Sequence, residues 1–378
     1  MQTRVSEMLG VEFPILAFSH CRDVVAAVTN AGGFGVLGAV AHTPKALEVD
    51  LDWIEAETHG KPYGVDLLLP SKYAGADEGG LTRDSIRQLL PPQHLQFLDE
   101  ILERYGVPPL PDDDEGRERG GLVNVAPSGY EPLLDVTFAH HPRLVASALG
   151  SPPPQLVERA HEHDVAVAAL AGTAVHAERH QRAGVDLIVA QGTEAGGHTG
   201  EIATMVLVPE VVDAVAPTPV LAAGGIGRGR QIAAAFALGA EGVWCGSVWL
   251  TTEEAETQPA VKAKFLTATS KDTVRSRSLT GKPARMLRSA WTDEWESEGA
   301  PAPLAMPVQS ALVAEAQQRI ARVASKPGTG ANELANYFVG QVVGTMNRTI
   351  PARQVVLEMV EEYIEASQRV AGILDSAT

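Results

Sequence analysis

The chain has few of the features that direct a protein to a membrane or to an oxidising compartment. Only two of its 378 residues are cysteine, Cys21 and Cys245, too few to cross-link a chain of this length and typical of a reducing cytosol. Neither stands in a metal-ligand pattern, so we expect no metal site. No run of about 18 apolar residues occurs, and the N-terminus lacks a basic segment followed by a short apolar core. We therefore expect a soluble, cytoplasmic protein.

Basic residues are also scarce. Thirty Lys and Arg residues stand against 47 Asp and Glu residues, which gives a net charge of −17 at pH 7. Such a charge repels nucleic-acid phosphates and anionic membranes at long range. The expected partners are small molecules rather than nucleic acid or a membrane, and the sequence leaves open whether the chain forms a homo-oligomer.

Short apolar segments alternate with helical segments along most of the chain. Such alternation implies a parallel sheet, and continuous apolar runs are typical of strands buried on both faces. Strands are predicted at residues 13–18, 34–37, 63–69, 143–149, 165–170, 185–190, 219–223 and 242–245. Eight such strands with intervening helices predict an α/β fold of the (β/α)8 TIM-barrel type, whose active site lies on the loops at the carboxyl ends of the strands.

Two parts of the chain interrupt or follow this alternation. The barrel is predicted to span residues 1–255, with an insertion at about residues 70–120 after the third strand. The insertion contains a predicted helix at 82–105 and an acidic run at 112–115, expected to be a solvated loop. Residues 256–378 are predicted to form a mainly helical segment that covers the barrel or pairs with a second subunit. Beyond the eighth strand, helices are predicted at 251–269, 308–323, 337–347 and 351–373.

The loop that follows the sixth strand, with the sequence QGTEAGGHTG, is the first candidate site. Gly196 and Gly197 would allow a planar or phosphorylated ligand to approach the backbone closely. His198 would then project beside that ligand, and an imidazole is suited to proton transfer near neutral pH. A glycine-rich turn with a solvated histidine is the alternative for so short a motif.

Two further turns are suited to an anion. Gly224 and Gly225 follow the seventh strand, and Gly246 and Ser247 follow the eighth. Backbone amides in the loops after strands seven and eight are the usual phosphate site of this fold. A Rossmann turn is the alternative, but Arg230 occupies the third glycine position of G-x-G-x-x-G.

These segments carry a family resemblance. FPILAF, NAGGFG, PYGVDLL, AGVDLIVAQGTEAGGHTG and AAGGIGRGRQIAAAFALGAEGVWCGS, spread over about residues 10–290, resemble the nitronate monooxygenase family, formerly called 2-nitropropane dioxygenases. The resemblance implies a barrel that binds FMN and oxidises alkyl nitronates, or nitroalkanes, with molecular oxygen, releasing nitrite and a carbonyl compound.

The same resemblance assigns residues. His198 matches the family's catalytic histidine, acting either as the base that deprotonates a neutral nitroalkane or as a group that orients a preformed nitronate. The positions implied to bind FMN are Asp66, Gln191, Gly196, Gly197, Gly224, Gly225, Trp244, Cys245, Gly246 and Ser247.

This chain departs from the family at two places. Asp66 stands where the family usually has Asn, and the first loop reads AFSHCRD at residues 17–23. An ionised Asp only accepts hydrogen bonds and would place negative charge near a flavin that becomes anionic on reduction. Asp66 therefore points away, is protonated, or makes reduction of the flavin harder.

A basic segment follows the barrel, with five cations between residues 275 and 288. Its TGKPAR string matches a family segment that returns across the top of the barrel. Arg277 and Arg285 are thus candidates for attracting an anionic substrate or the flavin phosphate. Alternatively, the cations of this segment lie on the surface and only offset the negative charge of the chain.

Two other functions fit the motifs. A flavin-dependent enoyl-acyl carrier protein reductase shares the GxEAGGHxG pattern and the phosphate loops but needs a nicotinamide donor. A non-catalytic barrel that acts as a scaffold, either binding flavin or free of cofactor, would be consistent with Asp66 and with the altered first loop.

Overall fold

The computed structural model describes residues 1–69, 83–111 and 126–375. The predicted acidic loop at 112–115 lies outside these ranges. Within these ranges, nine strands precede residue 250. In chain order they are β1 (Ile15–Ser19), β2 (Phe34–Gly38), β3 (Gly64–Leu68), β4 (Leu144–Ala148), β5 (Ala166–Ala171), β6 (Leu187–Gln191), β7 (Gly197–His198), β8 (Val220–Ala223) and β9 (Gly242–Cys245).

All of these strands except β7 form a closed parallel barrel. The barrel closes where β1 pairs with β9, with Leu16 opposite Trp244. Each of the eight predicted strands is present, within one or two residues of the predicted bounds, so the predicted TIM barrel is confirmed.

Ten α-helices in the described part of the chain begin before residue 230. They are α1 (Arg4–Leu9), α2 (Arg22–Asn30), α3 (Pro44–Thr58), α4 (Arg83–Gln88), α5 (Pro92–Arg104), α6 (Pro127–Ala139), α7 (Pro154–Glu162), α8 (Ala174–Arg182), α9 (Thr204–Val215) and α10 (Gly229–Ala237). None of the helices in the described ranges combines the length and the apolar character that crossing a membrane requires.

Helix α1 closes the amino-terminal end of the barrel. Its Val5 and Leu9 join the buried side chains that fill the barrel interior. Arg143, just before β4, donates a hydrogen bond of 3.1 Å to the carbonyl of Met8. Because this end is plugged, the carboxyl ends of the strands are the open end of the barrel.

The single helix predicted at 82–105 is two helices, α4 and α5. Pro91 lies between them and Pro92 is the first residue of α5. The helix is interrupted here because a proline has no backbone N–H to donate and disfavours helical backbone in the residue before it. The apolar face of α5, with Leu98, Ile101 and Leu102, is buried in a second hydrophobic core outside the barrel.

The remaining elements follow the barrel. They are α11 (Pro259–Thr267), β10 (Thr273–Ser276), β11 (Ala284–Leu287), α12 (Ala290–Trp295), α13 (Val308–Val323), α14 (Ala331–Leu334) and α15 (Ala352–Asp375). Helices α11 to α14 share the second core with α5, whereas α15 returns to pack on α10 and α2. The helices predicted at 308–323 and 351–373 are confirmed, and the division of the chain at residue 255 stays a prediction.

Two predicted helices need correction. The helix predicted at 251–269 is reduced to α11, preceded by a 3-10 turn at Ser247–Thr251. The helix predicted at 337–347 is wrong: Phe338 forms a β-bridge with Met286, and a 3-10 turn follows at Gln341–Thr345. Tertiary contacts override the helical pattern here, because this backbone lies directly against the loop after β6.

Strands β10 and β11 form a hairpin over the open end of the barrel. β11 pairs on one side with β10 and on the other with the short β7, so that Ala284 lies opposite His198. The hairpin thereby holds the backbone of the predicted catalytic residue.

Candidate functional site

A cavity of about 1190 Å³ lies at the carboxyl ends of the barrel strands. Its walls come from the barrel loops, the β10–β11 hairpin, α11, α13 and the segment 335–338. The volume exceeds the roughly 300–1,000 Å³ of typical small-molecule sites, so the cavity has room for a cofactor and a substrate together. All the residues predicted for the site line it, namely Asp66, Gln191, Gly196, Gly197, His198, Gly224, Gly225, Trp244, Cys245, Gly246 and Ser247.

Two backbone turns lie side by side in this wall. β8 pairs with β9 so that Ala223 lies opposite Trp244, which brings the turns that follow these residues together. The amides of Gly225, Gly246 and Ser247 donate no hydrogen bond within the described part of the chain. Gly225 has φ +70°, a conformation that side chains of L-residues disfavour. The donor set is suited to an anionic group such as a phosphate.

The two glycines before His198 have different surroundings. A Cβ added to Gly196 would lie 2.8 Å from the nitrogen of Gly340 and 2.9 Å from Val339. The absence of a side chain at Gly196 is therefore required by packing within the protein. A Cβ on Gly197, where φ is +75°, would meet no atom within 4 Å, so Gly197 leaves its face of the loop open to a ligand.

His198 is partly buried, and its side chain is held by the hairpin. Nε2 lies 2.8 Å from Oγ1 of Thr280. Burial, together with a smaller effect of the nearby Lys282, lowers the pKa of His198 to about 4. The imidazole is therefore neutral at pH 7 and can accept a proton.

Asp66 lies on β3 with only 7% of its surface exposed. Its carboxyl group lines the cavity and has no hydrogen-bond or ion-pair partner within the described residues. Burial raises the pKa of Asp66 to about 8. Of the three alternatives, the structure favours a side chain that points into the cavity and is protonated at pH 7, in which state it can donate a hydrogen bond as an amide does.

The basic segment contributes a different cation from those expected. Arg285 is buried and donates a hydrogen bond of 2.8 Å to the carbonyl of Thr193, which ties the hairpin to the loop after β6. Arg277 donates to the carbonyl of Gly281 within the hairpin. Neither guanidinium lines the cavity, whereas Lys282 does. The TGKPAR string is the sequence signal that pointed to this hairpin, but it did not identify Thr280 or Lys282.

The first loop also reaches the cavity. Cys21 lies in its wall, and its thiol donates to the carbonyl of Glu254 at 3.1 Å. The ligand atoms of Cys21, Asp23 and Glu256 come within 4.8 Å of one another. Burial raises the pKa of the Cys21 thiol, so the thiol is protonated at pH 7 and acts here as a hydrogen-bond donor.

Glu194 has a structural role at the edge of the loop after β6. Its carboxylate accepts hydrogen bonds from the backbone nitrogen and the hydroxyl of Thr204, the first residue of α9. A carboxylate at a helix N-terminus satisfies free amides and complements the helix dipole. Glu194 is outside the set of residues that line the cavity.

Solved structures with the same fold define the class of protein. Nitroalkane oxidase from Streptomyces ansochromogenes superposes with a TM-score of 0.77 at 27% identity, covering 97% of this chain and 100% of that one. FabK from Thermotoga maritima superposes with a TM-score of 0.73 at 26% identity, covering 99% of both chains. The molecule is thus an oxidoreductase built on a TIM barrel.

The family follows from the sequence comparisons. The model of the nitronate monooxygenase family matches residues 2–362, and the chain belongs to this family, whose members are flavin-dependent. A protein of Mycobacterium tuberculosis named "Putative monooxygenase Rv1533" is 70% identical over 374 residues, which cover 99% of this chain and 100% of the relative. A "Probable nitronate monooxygenase" of Staphylococcus saprophyticus is 29% identical over 342 residues, 84% of this chain and 88% of the relative.

Proposed function

We propose that the protein binds FMN and oxidises alkyl nitronates with molecular oxygen, releasing nitrite and a carbonyl compound. One observation carries the proposal: a neutral imidazole and two adjacent turns face the same cavity, and the amides of these turns donate to no other described residue. The turns fit the phosphate of a nucleotide cofactor, and the imidazole fits a substrate that carries a removable proton.

The donor chemistry of the cavity fits FMN. The amides of Gly225, Gly246 and Ser247 would hold the phosphate. The protonated carboxyl group of Asp66 and the amide of Gln191 would bond to the polar edge of the ring. When bound, FMN would supply the two-electron redox chemistry of the reaction.

His198 and Lys282 would act on the substrate. Towards a neutral nitroalkane, the unprotonated imidazole of His198 takes the proton from the α-carbon. Towards a preformed nitronate no base is needed, and His198 then orients the anion. Lys282, which lines the same cavity, would attract the negative charge of a nitronate.

A spectrum and one variant test this function. The purified protein should show a flavin spectrum, or acquire one with FMN, and a nitronate added without oxygen should bleach it. His198→Ala with FMN bound should lose about 10²- to 10⁴-fold in activity on neutral nitroalkanes and much less on preformed nitronates. Equal activity of the variant and the parent on both substrates would exclude the role of His198 as a base.

Enoyl thioester reduction is the second candidate, and the similarity to FabK supports it. The two reactions differ in what reduces the flavin. Rapid bleaching by NADH or NADPH, followed by turnover of an enoyl thioester, would favour this candidate over nitronate oxidation. Colourless protein that cannot be reconstituted with FMN would instead favour a non-catalytic barrel.

A further inference from the structure

The two ring nitrogens of His198 have different surroundings. Nε2 lies 2.8 Å from the hydroxyl of Thr280. Nδ1 makes no hydrogen bond within the described part of the chain. It is also absent from the fully buried polar atoms that lack a partner, so the protein does not enclose it completely. Because His198 lines the cavity, Nδ1 is the nitrogen that is accessible to a ligand.

Thr280 is fixed by the fold of the hairpin. Gly281 has φ +82°, and a Cβ at this position would lie 2.1 Å from the carbonyl oxygen of Leu304. The amide of Gly281 also donates to the carbonyl of Arg277 at 2.8 Å. The same hairpin pairs with the backbone of His198 through Ala284. The contacts of Gly281 and the pairing of Ala284 with His198 together fix the position of Thr280 relative to the imidazole.

The neighbours of the Thr280 hydroxyl decide where its single hydrogen lies. The carbonyl oxygen of Lys282 is 3.2 Å away and can accept it, and the backbone N–H of Lys282 points at the same hydroxyl at 3.4 Å. If the hydroxyl donates to Lys282, its oxygen accepts from Nε2–H of His198, and each of these contacts is satisfied. If the hydroxyl donates to His198 instead, the bond to the Lys282 carbonyl is not made.

We infer that Thr280 is a positioning residue that holds His198 as the Nε2–H tautomer, so that Nδ1 is the atom that takes the proton from the substrate. In this step, which depends on the proposed function, the α-carbon–hydrogen bond of a nitroalkane breaks and an N–H bond forms at Nδ1. The electron pair of the broken bond moves into the nitro group. The products are a nitronate and an imidazolium whose Nε2–H still donates to Thr280.

Nitrogen NMR of the FMN-loaded protein tests the tautomer without using the reaction. In ¹⁵N-histidine-labelled protein at pH 7, His198 should show a protonated Nε2 and an unprotonated Nδ1, with the signals assigned by their loss in His198→Asn. Thr280→Ser should keep this pattern, and Thr280→Val should change the populations of the two tautomers. A protonated Nδ1 in the parent protein would overturn the inference, as would a Thr280→Val spectrum identical to that of the parent.

Kinetics separate positioning from a purely structural role. Thr280→Val should lower kcat/KM on a neutral nitroalkane by about 10- to 100-fold, the effect of losing one buried hydrogen bond to the reacting group. On the preformed nitronate the change should stay within a few-fold, and Thr280→Ser should restore most of the nitroalkane activity. An equal loss on both substrates, or no loss on either, would overturn the inference. If NMR shows the expected tautomer but the protein oxidises neither substrate, the result contradicts the proposed function and not the role of Thr280.

Discussion

The backbone N–H of Gly340 donates a hydrogen bond of 2.8 Å to the hydroxyl oxygen of Ser247. This bond joins the C-terminal segment to the turn that follows the last barrel strand. The next residue, Gln341, donates to the carbonyl of Glu194 at 2.9 Å, and Gly196 packs directly on the same backbone. The walls of the cavity therefore belong to the barrel and to the C-terminal segment jointly.

Gly197→Ala should weaken FMN binding more than it weakens the fold. The added methyl group would occupy open space in the cavity wall, and the left-handed backbone at φ +75° would cost about 1–2 kcal/mol of stability. Gly60 is a matched control, because it has φ +77° and also meets no atom within 4 Å, but it lies outside the cavity. Both variants should show similar losses of Tm, and only Gly197→Ala should raise the Kd for FMN in a fluorescence titration. An equal effect of both variants on Kd would contradict the placement of Gly197 at the ligand.

The oxidation of a neutral nitroalkane should be insensitive to pH between about 5 and 7. The pKa of His198 is lowered to about 4 by burial, so the base form is already complete at pH 5 and is lost only as the pH falls through about 4. The measurement is kcat/KM against pH with a nitroalkane that stays neutral throughout. Reaction of a preformed nitronate serves as the control for general inactivation. A midpoint near 6.5, the ordinary value for histidine, would show that the imidazole is not desolvated.

Asp66→Asn should make the protein more stable at pH 8 than the parent, and the difference should shrink at low pH. The folded-state pKa of Asp66 is raised to about 8, so between the unfolded pKa near 4 and pH 8 the folded state holds a proton that the unfolded state releases. Stability is therefore lost as the pH rises, by at most about 1.4 kcal/mol per pH unit. Urea unfolding of both proteins at pH 5 and pH 8 measures the difference. A constant gap across this range would mean that Asp66 is ionised in the folded state.

Both cysteine thiols should be unreactive until the protein unfolds. Cys21 and Cys245 are buried and free, and burial raises the pKa of Cys245 to about 12 and that of Cys21 in the same direction. Because the thiolate is the reactive form, iodoacetamide at pH 7.5 should modify neither residue in the native protein and both in denaturant. Rapid native modification of Cys21, read by peptide mass spectrometry, would show that the first loop opens in solution.

The barrel was predictable because its strands are short apolar runs that glycine and proline separate from the helices. The eight strands and the placement of His198 on the loop after the sixth strand follow from this local pattern. The helix at 337–347 was predicted wrongly. Its apolar residues do have helical spacing, but Gly340 packs against the carbonyl of Glu194, which is far away in the chain, and this contact determines the backbone. Local periodicity contains no information about such contacts.

The partner of His198 could not be predicted from spacing, since 82 residues separate His198 from Thr280. The TGKPAR string indicated that the hairpin is close to the site, but charge alone favoured its arginines. Backbone carbonyls of Thr193 and Gly281 engage Arg285 and Arg277, and sequence does not reveal the direction of a side chain. The protonation of Asp66 likewise depends on burial, which only the assembled cavity determines.

The hydrogen bond between Ser247 and Gly340 joins two parts of the chain that are synthesised at different times. A nascent chain that has just completed β9 has every barrel strand but lacks the hairpin, α13 and the segment that closes over Gly196. Such a chain lacks the part of the cavity wall that the hairpin, α13 and residues 335–338 supply. A flavin held in this cavity would therefore be fully enclosed only after the C-terminal segment has folded against the barrel.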